Sequence, residues 1–204
     1  MNQPIEGPRA RYRQQVRDEV QTRAWAQISE AGASALSLKA IATQMGMTAP
    51  ALYRYYGSRD ELLTQLILST YQEIAELIEA AVDVHSTPGA QLTDIAQALR
   101  RWAVANPQRY LLLYGTPVPG YHAPPAATDL AQRILDPILA GFAALLDHSA
   151  DDGSGSVTLL RSVTFWTRLH GVLSLELAGH FVGMSIDTDQ LYAAEIHSLL
   201  AVAR

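Results

Sequence analysis

Alanine and leucine together number 58 in this chain of 204 residues, against 22 valine plus isoleucine, and no run alternates apolar and polar residues long enough to make a half-buried strand. The chain is therefore restricted to an all-α fold, and the pattern predicts about nine helices. Apolar residues make up 49% and charged residues only 17%, against a usual charged share of about 25%. With so little charge, more surface than normal is expected to be covered by a second subunit. The length suits a small head joined to a larger body.

The helix boundaries are written in caps and breakers. Val16, Val20, Ala24 and Ile28 recur every four residues and predict a first helix over about Ala10 to Ala31, stopped by Gly32. Ser37 caps a short second helix, Leu38 to Met45, closed by Gly46; Thr48 caps a third, Ala49 to Tyr56, with Pro50 in its first turn. Ser58 and Glu61 form a capping box for a long fourth helix to about Val82. After a break at His85 to Gly89, Pro88 opens a fifth helix to Asn106 and Pro107 a short sixth to Tyr114. Gly115 to Thr128 is a proline-rich connection. Two long helices, about Pro125 to Asp147 and Val157 to Gly179, flank the loop Ala150 to Ser156, and Thr188 to Val202 is the last.

Several function classes fall away at once. Cysteine is absent, which removes disulfides, thiolate metal sites and cysteine nucleophiles. The first thirty residues mix Arg9, Arg11, Arg13 and Arg17 with acids and hold no apolar block, so no signal peptide or anchor is expected. The longest uncharged stretch, Tyr110 to Thr128, carries four prolines, unsuited to a membrane span. A soluble, cytoplasmic protein without a membrane partner is the expectation. No Gly-rich phosphate loop, nucleophile elbow or zinc-protease pair is present, so the chain is not read as an enzyme, and neither a metal nor a cofactor is assigned.

The net charge of −5 hides an asymmetry. Residues 1–60 hold eight Lys or Arg against five acids, and residues 61–204 seven Arg against fifteen acids. A positive end on a negative body suggests that one end meets a polyanion.

Two short helices joined through Gly46 and Met47 have the dimensions of a helix-turn-helix, with the third helix as the reader. Leu52 and Tyr56 should pack inward, leaving Thr48, Ala51 and Tyr55 outward. Small residues let the helix end approach base edges in a major groove, while tyrosine hydroxyls and helix amides donate to phosphates. Lys39, the chain's only lysine, and Arg59 flank this face as phosphate clamps. The alternative is that Tyr53, Tyr55 and Tyr56 merely cover a small helical core.

The segment Leu38-Lys39-Ala40-Ile41-Ala42, then Met45-Gly46-Met47-Thr48-Ala49-Pro50-Ala51-Leu52-Tyr53-Arg54-Tyr55-Tyr56-Gly57-Ser58-Arg59-Asp60-Glu61-Leu62, closely resembles the DNA-binding head of TetR-family transcriptional regulators. The resemblance covers roughly the first 65 residues. It implies DNA contacts at Lys39, at the reader positions Thr48, Ala49, Pro50 and Ala51, at the phosphate-facing Tyr53 and Tyr55, and at Arg59. Arg54 and Tyr55 stand where many members carry tyrosine and histidine, and Arg54 adds a further base or phosphate contact. The domain division is then 1–58 for DNA binding and 59–204 for ligand binding and dimerisation.

The body is read on its own terms. The helix from Val157 is apolar almost all round, so it should be covered on one side by its own subunit and on the other by a symmetry mate. The last helix would join that two-fold bundle through Leu191, Ile196, Leu199, Leu200 and Ala203. Trp166, His170, Gly171 and the run Leu175 to Phe181 resemble a WHG-type carboxy-terminal domain of these regulators. Trp102, Tyr110, Tyr114, Phe142, Phe165, Trp166 and His170 line an apolar effector cavity or else form plain core. Glu176 and His180, four apart, make either a half-site for a metal or an acid–base pair, or else a buried hydrogen bond or salt bridge at the dimer contact; the other histidines are scattered.

The leading expectation is a ligand-released repressor that binds a palindromic operator in double-stranded DNA as a homodimer and answers to an unidentified small-molecule effector. A metal-responsive regulator and, further behind, a helical enzyme are the alternatives.

Overall fold

The computed structural model of the protein describes residues 7–83, 85–146 and 155–201. Among them are nine α-helices and no strand: α1 Pro8–Ala31, α2 Leu38–Gln44, α3 Ala49–Leu52, α4 Arg59–Ala80, α5 Pro88–Ala105, α6 Pro107–Tyr114, α7 Pro125–Leu145, α8 Gly155–Leu177 and α9 Thr188–Ala201. A 3-10 turn, Ala33–Ala35, follows α1. Most ends fall within two residues of those the caps predict. The expected ends Asp147 and Val202, and Ala150 to Ser154 of the loop, lie outside the described residues, as do His148 and Ala203.

The chain divides into two compact units. The head runs through Ile67 and takes in Pro117–Ala123; the body comprises Leu68–Thr116 and the chain from Pro124 onward. The division falls inside α4, later than residue 58, because the capping box starts the helix while its buried Leu62, Leu63 and Leu66 still belong to the head. In the head, α1 buries the predicted stripe Val16, Val20, Ala24 and Ile28. The Gly32 N–H makes the last bond, to the Ile28 carbonyl, and its φ of 78° then turns the chain out of the helix. Pro117–Ala123 is tied in by a 3.1 Å hydrogen bond between the Tyr121 and Thr64 hydroxyls.

The body core gathers Ile74, Ile78, Leu92, Leu99, Ile138, Phe142, Phe165, Leu169, Leu173 and Tyr192. Gly141 is needed where α5 crosses α7, since a β-carbon there would lie 2.8 Å from a methyl of Leu92. On α8, Phe165, Leu169 and Leu173 are buried while Val157, Leu159, Leu160 and Leu175 are exposed, so the helix has an inner and an uncovered apolar side. The apolar stripe of α9 differs from expectation. Ile196 and Leu199 are buried in the protomer's own core, which leaves Ala193, Ala194, His197, Ser198 and Ala201 outward. Hydrophobic spacing marks a face for burial without saying which subunit covers it.

Candidate nucleic-acid interface and ligand cavity

The head builds a helix-turn-helix from local signals. The Ser37 hydroxyl accepts from the Ala40 N–H at 3.3 Å and starts α2; Gly46, at φ 65°, turns the chain toward α3. Ser58 accepts from the Glu61 N–H at 3.0 Å. The Glu61 carboxylate reaches back to the Gly57 N–H at 2.7 Å, one residue before the usual capping-box partner. Two expectations are corrected. Thr48 occupies the N-cap position of α3, but its side chain makes no capping bond. The α-helix ends at Leu52 instead of Tyr56, because the Tyr55 N–H bonds to the Leu52 carbonyl at 2.8 Å, three residues back, and tightens the last turn.

That turn sorts the three tyrosines. Tyr56 is buried, with its hydroxyl accepting from Gln21 Nε2 at 3.1 Å and the Arg17 guanidinium 5.5 Å over its ring. Tyr53 is 47% exposed, and Tyr55 is half-buried. The core reading therefore describes Tyr56 and not Tyr53. Lys39, Thr48, Pro50 and Arg54 are exposed, and Ala49 and Ala51 partly so. Arg59 is engaged internally: Nε donates to the Leu36 carbonyl at 3.2 Å, Nη2 to the Ala33 carbonyl at 2.9 Å, and Nη1 to Asp60 at 3.1 Å. It braces the 3-10 turn against α4, with a side chain about one-third exposed.

The body contains a cavity of about 270 Å³ lined by Tyr71, Tyr114, Ala131, Ile134, Leu135, Val163 and Trp166. Of the seven sequence-derived pocket residues, Tyr114 and Trp166 line it. Trp102, Tyr110, Phe142 and Phe165 are core: Trp102 Nε1 donates to Glu73 at 3.0 Å, and Phe142 meets Phe165 edge-on at 5.5 Å. His170 stacks behind the wall, its ring 4.3 Å from Tyr114 and 4.1 Å from Trp166. The Tyr110 hydroxyl lies 2.7 Å from His170 Nδ1 and 3.2 Å from the Ser174 hydroxyl. Burial lowers the His170 pKa to about 4, so the ring is neutral at physiological pH. Burial, then neighbouring Tyr71 and Tyr110, raises Tyr114 far above the ordinary phenol range. His170 Nε2 and the Tyr114 hydroxyl are buried without a hydrogen-bond partner, an arrangement that favours a polar group on an incoming molecule.

A polar cluster unforeseen in the sequence joins α5, α8 and α9. Arg100, 9% exposed, holds Glu176 through both terminal nitrogens at 2.5 and 3.1 Å and Asp189 at 2.6 Å, and lies 5.1 Å over the Tyr192 ring. Desolvation opposes its charge, but the bonds to Glu176 and Asp189 outweigh it and raise its pKa. Glu176 also accepts from the Thr188 hydroxyl at 2.8 Å. The suggested Glu176 and His180 pair is not made, since the carboxylate turns to Arg100 while His180 is exposed. Among the described residues no three ligating side chains cluster for a metal, and no helix is long and apolar enough to cross a membrane.

Comparison with known sequences places both units. Residues 22–66 match bacterial regulatory proteins of the tetR family, and residues 92–199 match the tetracyclin repressor-like C-terminal domain. The HTH-type transcriptional regulator Rv1816 of Mycobacterium tuberculosis is 35% identical, the match spanning 96% of this chain and 95% of that protein. The chain belongs to the TetR family. It is thus a DNA-binding transcriptional regulator. Among solved structures, the crystallised protein SCO4313 is 48% identical with a TM-score of 0.85, covering 96% of this chain and 100% of that one. The TetR-family regulator PfmR of Thermus thermophilus, 17% identical with a TM-score of 0.66, covers 90% of this chain and 98% of its own and shares the fold.

Proposed function

We propose that this TetR-family regulator is a cytoplasmic repressor that binds a pseudo-palindromic operator as a homodimer and leaves it when a small molecule enters the body. The observation that carries the DNA part is the face formed by Lys39, Thr48, Tyr53 and Arg54, exposed on a segment whose entry into α2 is fixed by the Ser37 cap and whose turn toward α3 is fixed by Gly46. Thr48, Ala49, Pro50 and Ala51 would approach base edges, while Lys39, Tyr53, Arg54 and Tyr55 would take phosphates. Arg59 would act mainly by holding the 3-10 turn. The uncovered apolar side of α8 and the small outward side of α9 support pairing of two protomers through these helices.

The effector cavity is lined by aromatic and aliphatic side chains with no ionised group among them, which suits an uncharged, largely apolar molecule. Tyr71 of α4 contributes to its wall, and α4 begins at the head with Arg59. Binding that prefers one setting of α4 would shift the population away from the reader spacing of about 34 to 36 Å that successive major grooves require.

The test is to recover fragments of genomic DNA on the purified protein. An enriched inverted repeat is expected, and the gene beside it suggests the effector's chemistry. Recovery without any enriched sequence would contradict a sequence-reading repressor.

A further inference from the structure

Three arginines, Arg9, Arg11 and Arg13, occupy the first two turns of α1, and that first turn holds no acidic residue. Free helix amides make this end partially positive, so it disfavours cations, and like charges four residues apart, as at Arg9 and Arg13, repel. The next arginine in the row, Arg17, turns inward and donates to the Tyr55 carbonyl at 3.4 Å. Arg9 and Arg13 do not. With Tyr12 they join Arg54 and Tyr55, from the end of the reader segment, around an open cleft of about 260 Å³. Among the described residues no acidic side chain lines it, and Arg9, Tyr12, Arg13 and Arg54 have no ion-pair or hydrogen-bond partner. A segment that breaks its helix's own electrostatic preference gathers cations around a concavity, as expected of a site completed by an external anion.

We propose that this cleft is a second DNA contact: it takes a backbone phosphodiester, with the guanidinium groups of Arg9, Arg13 and Arg54 and the hydroxyls of Tyr12 and Tyr55 donating to its oxygens. The occupant follows from continuity, because Arg54 and Tyr55 are shared with the reader segment. Arg9, Tyr12 and Arg13 precede the family match, which begins at residue 22. The contact carries no sequence information; it fixes register and adds affinity. The inference rests on the head being the DNA-binding end.

The experiment measures binding of the full chain to a fluorescent 30-base-pair (~100 Å) duplex of mixed sequence at several salt concentrations. The R9Q/R13Q variant is expected to bind more weakly, with a log affinity against log salt slope shallower by about 2 for each bound protomer. Arg11 lies about 200° round the helix from Arg9, so R11Q keeps the wild-type slope. Thermal melting of R9Q/R13Q is expected at or above that of the wild type, since a repulsion is removed. A wild-type slope in R9Q/R13Q, an equal loss in R11Q, or a lowered melt with the weakened binding would each overturn the site. Failure of the wild type to bind any duplex would overturn this inference together with the assignment of the head.

Discussion

The head and the body use the same two residue types in opposite ways. In the head, Arg9, Arg13 and Arg54 are exposed and without partners among the described residues, and Tyr53 presents half its surface to solvent. In the body, Arg100 pairs with Glu176 and Asp189, Arg109 with Glu73, Arg133 with Glu79 and Arg168 with Glu195, while Tyr110 and Tyr192 are buried. Four arginines of the body are paired with carboxylates of the same unit. In the head, Arg23 and Arg59 are paired with Glu19 and Asp60, whereas the proposed DNA face keeps Arg9, Arg13 and Arg54 outside such pairs among the described residues. This is why the charge asymmetry read from the sequence carried meaning although its net excess was small.

The largest test of that contrast removes a body arginine. Arg100→Ala leaves Glu176 mostly buried without its counter-charge, a loss of about 3 to 5 kcal/mol, visible as a lower urea midpoint. Arg100→Met with Glu176→Leu should regain most of it, because a packed apolar pair removes the stranded charge. A small effect from Arg100→Ala alone would mean that water, not burial, sets the energetics of this cluster.

A second test concerns His170. Its folded pKa is lowered by burial from 6.5 to about 4, so the neutral ring's contribution is fully present above pH 6.5. It is lost as the pH falls toward 4, where the unfolded chain binds the proton first. The difference amounts to about 3 kcal/mol. Urea unfolding of the wild type and His170→Gln across that window should show the wild type losing stability faster. Parallel curves would mean that His170 is hydrated.

How much was legible follows the same division. Gly32, Ser37, Gly46 and the Ser58 and Glu61 box act within a few residues of themselves, so the head's turns could be placed from the chain alone. The caps predict too long a helix after Thr48 because a glycine at 57 marks the end of a turn, not its pitch. In the body the proline and glycine breaks set the helix ends, yet the partners lie far off in the chain. Glu176 looked paired with His180 four residues away, whereas its partner, Arg100, is separated by 76 residues. Tyr71, Ala131, Leu135 and Val163 were missed as cavity walls because three helices must converge before they share a space. Trp102, Phe142 and Phe165 show the converse, since aromatic character fits a core as well as a pocket.

The most direct measurement is DNA binding and thermal melting of one variant, Lys39→Ala with Tyr53→Ala. Both side chains are exposed and neither belongs to the core, so binding to the recovered operator should weaken sharply while the helical melt stays within about 0.5 kcal/mol of the wild type. Unchanged binding, or binding and melt falling together, would contradict a head whose outward face exists to meet DNA.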